Sequence, residues 1–166
     1  MDRREITGRH ITLEEVMRPA ISVRQDTRAG DALKAMLDNG VPGIPVVNDR
    51  GYLIGFVHDA HLLASTLPRF VTFVHNLPHS PEGADGWVRY NCSAMDCPVE
   101  ELMDREVPAV DIEHSEIVAA HKMVHDGAPC VVVTDSGRVA GIVTRTDLYK
   151  AIISCKAHPH TAETAE

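Results

Sequence analysis

The chain is short of aromatic residues. Only seven of its 166 residues are Phe, Tyr or Trp, so its core must be built from Val, Ile, Leu, Ala and Met. It has no apolar run of about 18 residues, the length a membrane span requires. Its opening, MDRREITGRH, lacks the apolar stretch of an export signal. No Lys/Arg-rich run relieves a formal charge of −8, which argues against a nucleic-acid backbone as partner. A small anion held by local groups remains compatible with that charge. The four cysteines, Cys92, Cys97, Cys130 and Cys155, form no CxxC pair, so reduced thiols in a cytoplasmic protein are expected. No Ser/His/Asp arrangement, phosphate-cradling Gly-rich loop or closed metal-ligand set stands out, and the ten histidines are scattered. An enzyme is therefore not expected.

What the chain does have is an internal repeat. Met17 matches Met103, Val23 matches Val110, Ala32 matches Ala119 and Met36 matches Met123. Gly40 matches Gly127, Pro42 matches Pro129, Gly51 matches Gly137 and Gly55 matches Gly141, at an offset of 86 or 87 throughout. The copies are assigned to residues 13–64 and 98–153, with an insert at 65–97 and a polar tail at 154–166 that is expected to be disordered.

Each copy reads alike. A short extended piece (AISV, VPAV) precedes an amphipathic helix. Its apolar residues are Ala32, Leu33, Met36 and Leu37 in the first copy and Val118, Ala119, Met123 and Val124 in the second, each set on one face of a 3.6-residue period. Gly40 and Gly127 follow as C-cap glycines. Two β-rich runs flank a tight turn, and a second helix starts near Asp59 and near Arg145. The predicted order is β-α-β-β-α, twice, a mixed α/β (α+β) class. Neither copy can bury both faces of so small a sheet alone. The two should pack with approximate two-fold symmetry and line clefts between them.

These residues resemble the cystathionine-β-synthase (CBS) domain: a Met before a turn and Val, then A-x3-M, G-x-P ahead of a valine run, and G-h-V-T-x-x-D. Two in tandem resemble a Bateman module. The resemblance spans Leu13 to Ala64 and Pro98 to Ile153.

The stretch GIVTRTDL, Gly141 to Leu148, carries the chemistry. Thr144-x-x-Asp147 after a strand has the form of a capping box, worth about 1 kcal/mol to a helix. The same geometry suits a nucleoside phosphate. Free N–H groups and the Thr144 hydroxyl can meet a phosphate, Arg145 adds positive charge, and Asp147 can accept from two ribose hydroxyls. The CBS resemblance implies the second role. It also places adenine against Val107, Pro108, Ala109, Pro129 and Cys130 in the second copy, and against Ile21, Ser22, Pro42 and Ile44 in the first. Val132 stands where the first copy has Pro45, a difference expected at the pocket's edge.

The first copy departs from the pattern. His58 and His61 replace the hydroxyl and the carboxylate, giving a degenerate site, a phosphate-facing histidine pair, or a metal pair for which the sequence shows no third ligand. The insert holds Phe70, Phe73, Trp87 and Tyr90, and LPRFVTFVHNL within it has helical spacing; it packs on the module or forms a partner surface. The expectation is a regulatory sensor of AMP, ADP or ATP, with S-adenosylmethionine the weaker candidate. It would form a homodimer and act in trans on an unnamed partner, with no nucleic acid and no membrane. The competing expectation is a scaffold that binds no nucleotide.

Overall fold

The first repeat builds a sheet of three short strands and the second a sheet of four, and a computed structural model describes both over residues 11–67 and 95–156. In the first, β2 (Val23–Arg24), helix α2 (Ala29–Asn39), β3 (Gly43–Val47), β4 (Leu53–His58) and helix α3 (Asp59–Thr66) follow in order. In the second, β5 (Ala109–Asp111), helix α4 (Glu116–His125), β6 (Cys130–Asp135), β7 (Arg138–Thr144) and helix α5 (Arg145–Lys156) repeat it. The β-α-β-β-α order read from the sequence is the order observed. The expectations for the insert and the tail fall mostly on residues 68–94 and 157–166, outside the described residues; within the described ones α3 continues to Thr66 and α5 to Lys156, past the assigned ends of the repeats and into the expected tail.

Each helix stops where its glycine allows a left-handed turn: Gly40 has φ 59° and Gly127 has φ 68°. The buried helical stripe is narrower than the sequence period suggests. Ala29, Ala32 and Met36 of α2, and Ala119 and Met123 of α4, are buried, whereas Leu37 is 72% exposed and Val124 85% exposed. A helix lying on so small a sheet covers only one row of side chains.

The repeats are joined by exchange. Ahead of β2, helix α1 (Leu13–Val16) and strand β1 (Arg18–Pro19) leave the first repeat. β1 pairs antiparallel with β7 of the second, Arg18 opposite Ile142 and Pro19 opposite Gly141. Leu13 is fully buried in the second repeat's core, with Met17 packed against it. The return exchange uses the segment ahead of β5. Val99 of the short 3-10 turn Val99–Glu101 is buried in the first repeat's core, with Leu102 and Met103 beside it. Asp104 and Phe56 then exchange both backbone hydrogen bonds, at 2.8 and 2.9 Å.

Two glycines make the exchange sterically feasible. A Cβ on Gly141 would lie 2.6 Å from the Arg18 carbonyl oxygen and 2.6 Å from the Met17 sulfur; on Gly55 it would meet the Met103 sulfur at 2.3 Å. The matched pairs Met17/Met103 and Gly55/Gly141 thus touch crosswise, each methionine on the other repeat's glycine.

A third apolar cluster, Phe56, Cys130, Val132 and Ile142, seals the two sheets together. At its rim the Leu53 N–H donates to the Gly137 carbonyl at 3.1 Å, and the Arg138 guanidinium lies 5.0 Å from the Tyr52 ring centre. Here the Pro45/Val132 difference has its effect. The Val132 N–H donates to the Pro108 carbonyl at 2.8 Å, and the β5–β6 pairing runs from Ala109 to Asp111. Proline has no N–H to give, and the β2–β3 pairing begins one residue later, at Val23 opposite Val46.

Candidate functional site

Thr144 ends β7 and Asp147 stands in the first turn of α5. Both are buried, 4% and 7% exposed. They form the capping box that the sequence suggested. The Thr144 hydroxyl donates to Asp147 Oδ2 at 2.6 Å and the Thr144 N–H donates to the same oxygen at 3.1 Å; the Asp147 N–H donates to Thr144 Oγ1 at 3.3 Å.

A third group completes the cluster. Arg18, delivered by the exchanged strand β1, donates through Nε to Asp147 Oδ1 and Oδ2 at 3.0 and 2.9 Å. Its Nη1 donates to the carbonyls of Asn39 and Gly40, at 3.0 and 3.2 Å, and so closes the C-terminus of α2. Burial alone pushes the Asp147 carboxyl up. The hydrogen bond from Arg18, then those from Thr144, outweigh it and hold the group below its ordinary value. A lowered aspartate stabilises the fold above its unfolded pKa and loses that contribution as pH falls through its folded one. The margin in melting temperature of the wild type over Asp147→Asn should therefore be constant above about pH 5 and narrow on further acidification. A margin that grows on acidification, followed by circular dichroism, would contradict the pairing.

The Thr144 cluster faces a cavity of about 390 Å³ lined by Met36, Leu37, Val41 and Pro42 of the first repeat and by Pro129, Arg145 and Thr146 of the second. A smaller cavity of about 160 Å³, sharing Val41, lies beside Arg18, Ile21, Asn39 and Ile142. A third cavity, of about 420 Å³, is lined by Phe56, His58, Asp104, Glu106, Val107, Pro108, Lys122 and Pro129, among others. The repeat match explains the correspondence: His58 stands at the position of Thr144, Asp104 at that of Arg18 and Gly127 at that of Gly40. The third cavity is thus the pseudo-two-fold partner of the first two.

Each of these three cavities draws on both repeats, and in the first the polar end comes from the second repeat and the apolar wall largely from the first. The single-repeat grouping expected from the sequence is divided accordingly. Thr144 and Asp147 are brought together with Pro42, and through Arg18 with Ile21. Val107 and Pro108 are brought to His58 instead. Pro129 lines both large cavities, and Ala109 packs half-buried against the cluster between the sheets. Cys130 is fully buried in that cluster, and desolvation pushes its thiol up to about 12; Ile44 is buried in the first repeat's core. Ser22 is exposed and lies outside the three cavities. The Arg145 guanidinium turns back to donate to the Met123 and Ala128 carbonyls, at 3.3 and 3.0 Å.

In the first repeat His58 caps α3 without a side-chain hydrogen bond. His61 approaches Asp104, its Nδ1 3.4 Å from the carboxylate. The groups that sequence reasoning missed are Arg18, Asp104, Leu37 and Val41. Arg18 and Asp104 each follow the matched methionines by one residue, so the repeat itself carried a signal for them.

The sequence model of the CBS domain matches this chain twice, over residues 13–67 and 99–154. The uncharacterized protein MJ1426 of Methanocaldococcus jannaschii is 24% identical over 92% of this chain and 98% of its own length. Among solved structures, CBSX2 in complex with AMP superposes with a TM-score of 0.64 at 25% identity, covering 87% of this chain and 98% of that one. A CBS domain-containing protein of unknown function from Kribbella flavida superposes with a TM-score of 0.63 at 18% identity, covering 90% of this chain and 100% of that one.

Proposed function

Because the chain belongs to the CBS-domain family, matched on both of its repeats, we propose that it is a regulatory module that binds an adenosine nucleotide and acts in trans on a partner protein. The observation that carries this reading is Thr144, hydrogen-bonded to Asp147 at the start of a twelve-residue helix and lining a cavity with an apolar wall. In the proposed pose Asp147 accepts from the ribose hydroxyls, and the phosphate meets the helix N-terminus and the Thr144 hydroxyl. Adenine lies against Leu37, Val41, Pro42 and Pro129. The wall thus comes from both repeats, and one ligand bridges them. The structure of CBSX2 with AMP, at 25% identity across most of both chains, supports AMP, ADP or ATP as the ligand class. S-adenosylmethionine is the weaker candidate, because it offers no phosphate to that helix end. The module is assigned no catalytic role.

Arg18 gives the binding step a mechanism. Its guanidinium engages the carboxylate that the ribose would use, so nucleotide and Arg18 compete for Asp147. A nucleotide that releases Arg18 also releases its hold on the end of α2 and loosens β1 on β7. Ligand control requires this kind of differential affinity for two shapes. A second copy of the chain is the proposed immediate partner, with the exposed Tyr149, Ile152 and Ile153 of α5 and Leu63 of α3 as the apolar contact.

The same Arg18–Asp147 pair favours a second reading, a scaffold whose carboxylate is permanently occupied. Thermal unfolding with AMP, ADP, ATP and S-adenosylmethionine separates the two. A ligand at about 100 times its Kd stabilises by about 2.7 kcal/mol, a shift of several degrees. A dimer by sedimentation velocity with no shift from any adenosine compound would leave the scaffold reading standing and overturn the sensor.

A further inference from the structure

The cavity around His58 holds side chains that the nucleotide reading leaves unused. His58 ends β4, His61 lies in the first turn of α3, and Asp104 arrives on the exchanged segment of the second repeat. His61 Nδ1 lies 3.4 Å and His58 Nε2 3.9 Å from the same oxygen, Asp104 Oδ2. One ligand atom from each of the three residues falls within 4.8 Å of the others. The two imidazole rings face one another, centroids 3.6 Å apart and tilted by 39°.

We propose that His58, His61 and Asp104 form a binding site for a divalent first-row transition-metal ion of the Zn²⁺ type. Around a tetrahedral ion with bonds of about 2.0–2.2 Å, ligand atoms sit about 3.3 Å apart. The His61–Asp104 pair is already at that spacing, and a rotation of the His58 ring closes the rest. Two imidazoles and one carboxylate suit Zn²⁺, Co²⁺ or Ni²⁺; Mg²⁺ and Ca²⁺ require oxygen-rich sets. His58 and Asp104 also line the cavity of about 420 Å³, leaving the ion's fourth position to water or to an anionic group of a ligand there. Because the ligands come from both repeats, the metal fastens the segment after Met103 onto the first repeat. The sequence alone offered only the i, i+3 histidine pair; the exchange supplies the third ligand.

The test is isothermal titration of the full chain, stripped of metal and without nucleotide, with ZnCl₂, CoCl₂ and MgCl₂, together with the visible absorption of the Co²⁺ form. The expected result is one Zn²⁺ or Co²⁺ per chain, a d–d spectrum, and no binding of Mg²⁺. His61→Ala and Asp104→Asn should each weaken Zn²⁺ by about 100-fold or more, since even outer-shell losses cost 10–100-fold. Both positions are partly exposed, so circular dichroism should show both variants folded. His121 and His125 stack on α4 with centroids 5.2 Å apart and are the competing pair. Retention of tight binding in His121→Ala/His125→Ala, and in His158→Ala/His160→Ala of the tail, supports the assignment. Loss of the site in either control pair, or unchanged affinity in His61→Ala and Asp104→Asn, overturns it.

Discussion

Asp147→Asn should abolish the nucleotide response. At a concentration of AMP or ATP that stabilises the wild type by about 2.7 kcal/mol, the variant should gain about 0.4 kcal/mol or less. Two ribose hydroxyls donating to one carboxylate are charge-assisted bonds worth about 1.5–3 kcal/mol each. Even the low end of their sum weakens Kd by about 100-fold, and 100 Kd becomes one. The amide keeps the volume and one acceptor, so the loss reports charge rather than shape. The variant will also be less stable without ligand. Arg18 and Thr144 must then share the one remaining acceptor in a nearly buried place, at a cost of about 1–3 kcal/mol. That cost is read separately from the ligand-free melting temperature. His61→Ala is the matched control: it occupies the equivalent position of the other repeat, and the nucleotide shift should survive it. A full shift in Asp147→Asn, or a lost one in His61→Ala, would place the ligand elsewhere.

Gly141→Ala should be a severely damaging addition of a single methyl group. The new Cβ would sit 2.6 Å from a main-chain oxygen, that of Arg18, and 2.6 Å from the Met17 sulfur. The sulfur can move; the carbonyl is part of the β1–β7 pairing and cannot move without breaking it. Overpacking of this kind costs about 1–3 kcal/mol, and here the upper end is expected, a fall in Tm of roughly 5–10 °C. Gly55→Ala, whose nearest neighbour is the flexible Met103 side chain with the Asp104 oxygen at 3.2 Å, should cost less. Gly127→Ala isolates the purely conformational penalty: nothing lies within 4 Å of its Cβ but φ is 68°, so about 1–2 kcal/mol is expected. Amide hydrogen exchange should show Gly141→Ala releasing β1 before the rest of the sheet. Protection of β1 equal to wild type would contradict the close approach.

The sequence disclosed the architecture because the repeat is written in residues that tolerate few substitutes. The glycines at 40 and 127 must turn left-handed, and those at 55 and 141 must admit a neighbour. Periodicity could not say which neighbour. Met17 and Met103 were matched as equivalents, and only the fold shows that each belongs to the other's half. The same blindness affected the site. Thr144 and Asp147 were legible together because three residues separate them on one helix start. Their apolar wall, Leu37, Val41 and Pro42, lies in the other repeat, and chain order gives no reason to join them. Periodicity puts Leu37 in the core because it shares a helical face with Met36; in the structure it is exposed and lines the cavity beside Thr144.

The exchange also dictates an order of events during synthesis. Val99, Leu102 and Met103, which complete the core of the first repeat, are made only after its own strands and helices have left the ribosome. At about 5–20 residues per second, the first half waits several seconds with an unfinished interior. Leu13, made before any strand of either sheet, waits longer still for the β7 edge that buries it. The first half can close once residues 99–104 have emerged, whereas the second needs both β7 and the waiting Leu13, so the nascent chain should acquire protease resistance in two steps, with the segment around Leu13 protected only in the second.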